Sequence, residues 1–419
     1  MTGTARSFQS MLNEYTPNDL LMDTLIKRDW FLSNIEIDNG WKGGKLIVPF
    51  KGAGASSVEF GQLAASSDIS SSQYVRGYIN DYVESWGSII LNHRDLMDHS
   101  GKIPETTFLK LIPGEIDMMM EYFKQVVSTQ FGVGAHFATL TASGTVGGTF
   151  EVDHIDRFNL GQKFSLKDGN SAELTVYVIA IDVNAAVSPN STGTVTVSLT
   201  RGGAAADVSA YTTGQVAKCY HPGVLTNGAF TSVRDALLSL ANGGAAQIHN
   251  VAKTAYPILQ AVQIPGATWT ATNILDSIFD GYTTVRRKAK GNANTVVMSF
   301  KHLGSVMKQL ENQKGPFVVT KQPSASIYGW TEIEITSVKG TLKLVGIVEM
   351  DDDVMFYLDM STIKFRTNGG FKKRSAPDGR EYFEIRNTTG YAYVIDCCLF
   401  GELEHSKPGN NAIVYGINY

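Results

Sequence analysis

The chain has 419 residues, 43% of them apolar and 18% charged, with a formal net charge of −4. That length exceeds one simple core, so two or three domains are expected, and the slightly acidic balance excludes a protein drawn onto nucleic acid by long-range attraction, though not one that encloses it. Of three cysteines, Cys397 and Cys398 are adjacent and Cys219 is remote, which excludes a disulfide framework and points to a reducing compartment. The N-terminus lacks the apolar core of a signal peptide, and no window reaches the roughly 18 apolar residues of a membrane span. A soluble protein assembled in the cytosol is expected.

Residues 1–15 are polar and commit to no structure. Pro17 opens a helical pattern whose apolar members are Leu20, Leu21, Leu25, Trp30 and Phe31. Residues 39–44 break it, and residues 45–50 read as a strand that carries Pro49 and so belongs at an edge. Residues 51–73 are rich in Gly, Ala and Ser. Tyr74, Tyr78, Tyr82, Trp86 and Ile90 recur every four residues, as on a helix, yet the aromatic and β-branched content favours a twisted strand. The strand reading makes residues 45–91 an extended hairpin, which has to lie on a neighbour to be stable.

The chain is organised around residues 104–134. Ile116, Met119, Met120, Phe123, Val126, Val127 and Phe131 fall three and four apart, on one stripe of a helix about five turns long. Pro113 and Gly114 punctuate its start, Gly132 and Gly134 its end. Residues 137–222 then change to strands and predict a small antiparallel module of five to seven strands. Beyond it, helices are expected at 231–241, 273–287 and 301–312. A buried strand lies at 295–300, with Ser299 placed to cap the helix that follows. Residues 330–338 and 341–350 pattern as a hairpin around Lys339 and Gly340. Strands follow at 354–359, 363–367, 381–386 and 391–403, and residues 411–417 close the chain.

Chemistry finds little footing. Asp351, Asp352 and Asp353, and Asp153, His154 and Asp156, supply oxygen and nitrogen ligands, but neither group has the spacing of a known metal loop, so solvated loops are expected. No GxSxG elbow, HExxH pair, Walker loop or GxGxxG turn is present. No catalytic, metal or cofactor-binding residue is assigned, no cofactor is expected, and the protein reads as a non-enzyme. The basic runs Arg286, Arg287, Lys288, Lys290 and Lys372, Lys373, Arg374, Arg380 lack interleaved aromatic platforms and read as solvated faces or subunit contacts. Cys397 and Cys398 read as small core residues.

Laid end to end, GWKGGKLIVPFKG, YVRGYINDYVESWGSIILNHRDLM, the long helix, the helix–VVMSF–helix run and GELEHSKPGNNAIVYGI resemble the major capsid protein of tailed bacteriophages (Caudoviricetes) with the Hong Kong 97-type fold. The resemblance covers essentially the whole chain and lies in the order of its parts. It implies an α+β fold with an N-terminal arm at 1–38 and an extended β-hairpin loop at 39–95. A peripheral domain with the spine helix would follow at 96–136, continuing at 223–267 and in return strands at 363–403. The axial domain would occupy 268–362 with a C-terminal segment at 404–419. The module at 137–222 departs from the minimal pattern and reads as a β-rich insertion domain.

The resemblance implies a viral structural protein, assembled in the host bacterial cytoplasm and located in the virion. It would form homo-oligomers, pentamers and hexamers, of an icosahedral capsid enclosing double-stranded DNA without sequence-specific binding. Scaffolding, portal and decoration proteins would be partners, and no membrane. Trp41, Phe50, Lys51 and Phe60 are the expected subunit contacts, because buried aromatics dominate interface energies. Some members of the family join a lysine of the extended loop to an asparagine on a neighbour, promoted by a glutamate. Here Lys51, with Asn368 or Asn387, would be the matching residues. An encapsulin-type nanocompartment shell is the alternative. A carbohydrate-binding or adhesin protein built on the β module is a second, and it predicts Phe150, Phe158, Phe164 or Tyr177 on an exposed face.

Overall fold

The computed structural model describes residues 9, 12–13, 17–42, 44–53, 73–92, 105–183, 192–215, 217–288, 292–312, 318–321, 330–337, 340–387 and 390–418. The chain mixes helix and sheet and divides into two compact units, one of Met1–Leu46, Asn80–Ser128 and Lys364–Glu402, the other of Ile47–Ile79, Thr129–Ile363 and Leu403–Tyr419.

In the first unit, the helix Asn18–Arg28 begins after Pro17. It stops at Asp29, whose carboxylate accepts the Leu32 N–H at 2.7 Å and starts a second short helix, Trp30–Asn34. Arg28 ties the first helix to the spine helix through Asp117 at 2.7 Å. The sheet of this unit runs Glu36–Asp38, Ile363–Lys373, Gly390–His405, Phe383–Asn387, with Val83–Asn92 also paired to Gly390–His405. Glu36–Asp38 pairs in parallel with residues 364–366, placing Glu36 opposite Lys364 and Asp38 opposite Arg366. Both cross-strand pairs are ion pairs.

Two expectations are corrected here. Residues 74–91 do not form one arm of a hairpin. Gln73–Ile79 pairs with Leu46–Ala53, but Val83–Asn92 leaves to pair antiparallel with residues 392–401. The four-residue recurrence is ambiguous because four is a multiple of the strand period as well as close to the helical one. The helix Glu105–Gly132 also starts earlier than expected and runs through Pro113. Buried Ile112 and Ile116 stand four apart across the proline. Their burial offsets an interior proline's cost of roughly 3 kcal/mol.

In the second unit, residues 136–220 form a closed six-stranded antiparallel barrel in the order His136–Ala142, Thr149–Val152, Gly193–Ser198, Leu174–Val183, Lys163–Lys167, Lys218–Tyr220. Phe137, Phe150, Phe158 and Phe164 fill it. Three of the rings expected on an exposed glycan-binding face therefore point inward. A seven-stranded sheet follows, ordered Val262–Pro265, Ala412–Tyr415, Val354–Leu358, Thr295–Ser299, Gly340–Ile347, Trp330–Ser337, Val318–Lys321. Thr295–Ser299 is buried along its whole length. The helices Ile274–Lys288 and Phe300–Asn312 share one apolar cluster with this sheet. Ser299 does not cap its helix, since its buried hydroxyl has no hydrogen-bond partner among the described residues. The helix expected at 231–241 is only Val233–Leu237, capped by Ser232. No helix among the described residues is long and apolar enough to cross a membrane.

Gly87 sets how closely sheet and spine helix meet in the first unit. A Cβ there would stand 2.8 Å from the Phe123 ring and 3.4 Å from Met119 Sδ, and Phe123 in turn meets Phe371 edge-on at 4.7 Å. Gly87→Val should therefore destabilise the chain by about 1–3 kcal/mol through overpacking, read as a lower urea midpoint. An unchanged midpoint would contradict this packing.

Candidate assembly surface

Of the four expected contact residues, two are described with their side chains, and the chain covers both. Trp41 is buried, donates its indole N–H to Gly44 O at 3.0 Å and meets Tyr82 edge-on at 5.7 Å. Phe50 is fully buried and stacks on His249. Lys51 lies in the strand Leu46–Ala53, its side chain outside the described residues, as is all of Phe60. Asn368 is half-buried in the strand Ile363–Lys373, and the Asn387 side chain is outside the described residues.

Trp41 begins a row of rings that sequence reasoning missed. Tyr82 leans edge-on against Phe400 at 5.4 Å, and Trp86 does the same at 5.4 Å. The Arg374 guanidinium lies over both Trp86, at 5.6 Å, and Phe383, at 5.1 Å. The strand register explains the row. Trp86, Ser88 and Ile90 stand opposite Cys398, Asp396 and Val394, and Val394 stands opposite Phe383, so all share one face of the sheet. The other face, with Gly87, Ile89 and Leu91, turns towards the spine helix and is buried or close-packed. On the first face, Trp86 remains 45%, Ile90 57% and Ile385 40% exposed. Even-numbered alternation from Glu84 to Asn92 is the signal that could have found it.

The two acidic clusters do not lie in solvated loops. Asp351 is buried and accepts Arg157 at 3.0 Å and His154 at 3.2 Å on one oxygen, and Arg234 at 2.8 Å on the other. Arg234 also reaches Asp353 at 2.9 Å. Arg157, itself buried, spans from Phe137 O, at 2.7 Å, to Glu349 O, at 2.8 Å. Burial alone would raise the Asp351 carboxyl, but Arg157, His154 and Arg234 hold it far below the usual carboxylate range. For His154, burial and Arg157 push the pKa down, and Asp351 and Asp153 outweigh them, leaving it raised. Arg234 and Asp351, 117 positions apart in sequence, thus neutralise one another, as do the still more distant Arg157 and Asp351, which no local spacing reveals. No group of three acidic, His or Cys side chains among the described residues is arranged to hold a metal ion.

Burial pushes the thiol of Cys397 up to about 12 and that of Cys398 up to about 11, so both are inert core residues. Of the basic runs, Arg286 stacks on Tyr282 at 5.2 Å. Lys373 is buried against Glu381. Lys290 lies outside the described residues.

No protein-family model matches the chain, and no curated protein matches it. Among solved structures it is similar to phage capsids. The capsid of cyanophage A-1(L) aligns at 9% identity over 95% of this chain and 93% of that one, with a TM-score of 0.46. The capsid of a native GTA particle aligns at 10% identity over 92% and 89%, with a TM-score of 0.46. An encapsulin of Synechococcus elongatus aligns at 8% identity over 100% and 92%, with a TM-score of 0.42. At these identities and TM-scores the likenesses carry no inference about activity or partners.

Removing one partner of a buried ionic network leaves the others uncompensated, at a cost of about 3–5 kcal/mol. Asp351→Asn should lower the melting transition accordingly in calorimetry, because two guanidinium groups lose their shared anion. A transition within about 0.5 kcal/mol of wild type would contradict the network's structural role.

Proposed function

We propose that this chain is the major capsid protein of a tailed phage, self-assembling into the pentamers and hexamers of an icosahedral head that encloses double-stranded DNA. The observation that carries the reading is the sheet of the first unit. Its spine helix covers one face, and the opposite face keeps Trp86, Ile90 and Ile385 exposed. Aromatic anchors of this kind are what interfaces bury, and repeated copies in closed rings would cover every such face at once.

In this reading the residues around the spine helix form the peripheral domain, and the seven-stranded sheet with its two helices forms the axial domain. The barrel is the insertion domain, and the paired strands Leu46–Ala53 and Gln73–Ile79 are the base of the extended loop. Lys51 and Phe60 keep their proposed place in subunit contacts, whereas Trp41 and Phe50 are covered by their own chain and give way to Trp86 and Ile90 as exposed anchors. Scaffolding, portal and decoration proteins are its expected partners, and the virion its location.

The test is negative-stain microscopy and sizing of the protein expressed in bacteria. Uniform shells, or sheets and tubes of five- and six-fold rings, are expected. Particles that copurify with a folded enzyme cargo would favour a nanocompartment instead. A protein that stays monomeric at every concentration reached would contradict the assembly reading.

A further inference from the structure

A three-ring stack holds the paired strands Leu46–Ala53 and Gln73–Ile79. Phe50, from the first strand of that pair, stacks on His249 at 6.1 Å with the planes 12° apart. On the other side His249 stacks on His405 at 6.2 Å and 22°. His249 lies in the turn between Gln247–Ile248 and Val251–Ala252, which pair as a minimal hairpin. Both turn residues, His249 at φ 47° and Asn250 at φ 63°, hold the left-handed conformation that a two-residue hairpin turn needs. Asparagine and histidine are among the non-glycine residues that enter it most readily.

The polar groups of the same turn seize the second strand, Gln73–Ile79. His249 O accepts the Tyr78 N–H at 2.8 Å, and the Asn250 amide donates to Tyr78 O at 2.7 Å. Gly77 leaves room for this, since a Cβ there would overlap the Phe50 ring and stand 3.1 Å from His249 O. The imidazole has a job of its own, because His249 Nε2 accepts the backbone N–H of His405 at 3.0 Å. A ring nitrogen that accepts must be unprotonated.

We propose that His249 is the clamp fixing the paired strands Leu46–Ala53 and Gln73–Ile79, and that protonating its ring opens the clamp. Protonation removes the acceptor from the His405 N–H and puts a charge between two stacked rings, where no carboxylate among the described residues pairs with the imidazole. The charged and titratable groups around the stack are His405, Lys253 and Asp235. Lys253 donates to Leu238 O at 2.8 Å and to Asp235 O, and its pKa is lowered to about 8 by burial. It is therefore a cation through the acid range and opposes a second charge nearby.

Burial, with His405, pushes His249 down to about 3, and burial, with Lys253, pushes His405 down to about 4. A histidine whose folded pKa is depressed binds its proton more readily once released. The closed state is therefore fully favoured above pH 6.5 and loses ground as pH falls towards the folded values. Linkage predicts that opening rises roughly 25-fold between pH 7 and pH 5 if only His249 is freed, and several hundred-fold if His405 goes with it.

The experiment is hydrogen exchange of the purified full chain, read as protection factors corrected for the intrinsic rate at each pH. Peptides spanning residues 73–79 and 403–407 should lose protection by that factor between pH 7 and 5, ahead of the barrel strands. His249→Asn keeps a residue that tolerates the left-handed turn and cannot titrate, so it should flatten most of the response. His249→Asn with His405→Gln should abolish it. Phe50→Leu keeps both histidines, so it should lower protection at pH 7 while retaining the pH slope. Protection unchanged from pH 7 to 5, or a slope that survives the double variant, would overturn the clamp. The readout is on subunit backbone amides, so its failure and a failure to form shells are separate results.

Discussion

A β-sheet has two faces, and in the first unit only one of them is covered by the spine helix. Everything that makes this chain look like an assembling subunit depends on that asymmetry. Phe123 and Phe371 press together through the gap left by Gly87, with Ile89 and Ile395 buried in the same sheet. The same strands present Trp86, Ile90, Val394 and Phe383 in rows on the opposite face. An apolar row of this kind stays costly in water until something covers it. Arg374 lies over two of its rings and shields them in part.

The second unit follows a different rule, because its two apolar cores are separate. The barrel core is built from residues 137–219 and the core of the seven-stranded sheet from residues 269–417, with no member in common. Charge joins them. Asp351, at the end of the sheet's hairpin, gathers Arg157 and His154 from the barrel and Arg234 from the short helix. A buried network of this kind specifies one geometry, since each displaced partner leaves an unpaired charge. The paired strands Leu46–Ala53 and Gln73–Ile79 are held by a third device, a ring stack on a left-handed turn. Apolar layers hold each core, and a few polar groups fix how the pieces meet.

Much of this was legible in the sequence, and the reasons are local. The 3.6-residue stripe from Ile116 to Phe131, the β-branched runs of the barrel, and the hairpin at 330–347 each encode their element within a short window. The departures came from distance. Nothing near Asp351 announces Arg157 or Arg234, so an ionic network read as three solvated acids. Val83–Asn92 chose a partner some three hundred residues away over the strand before it, and so Trp86 was read as part of a hairpin. Trp41 and Phe50 were expected at subunit contacts, but each is buried in its own chain, and whether such a ring is covered by its own chain or by another depends on tertiary packing. His249 gave no sign at all, because its partners Phe50, Tyr78 and His405 are all more than a hundred residues away in sequence.

The central claim is that the face carrying Trp86 and Ile90 is buried by another copy of the chain. It is tested most directly by the double variant Trp86→Glu, Ile90→Glu, compared with wild type by sedimentation velocity and by thermal unfolding of the separated subunit. Both side chains point away from the spine helix. The variant gives up the Trp86 contacts with Phe400 and Arg374, so the subunit should lose about 1–2.5 kcal/mol and still unfold cooperatively while large assemblies disappear. Assemblies of wild-type size and yield from the variant would contradict the account.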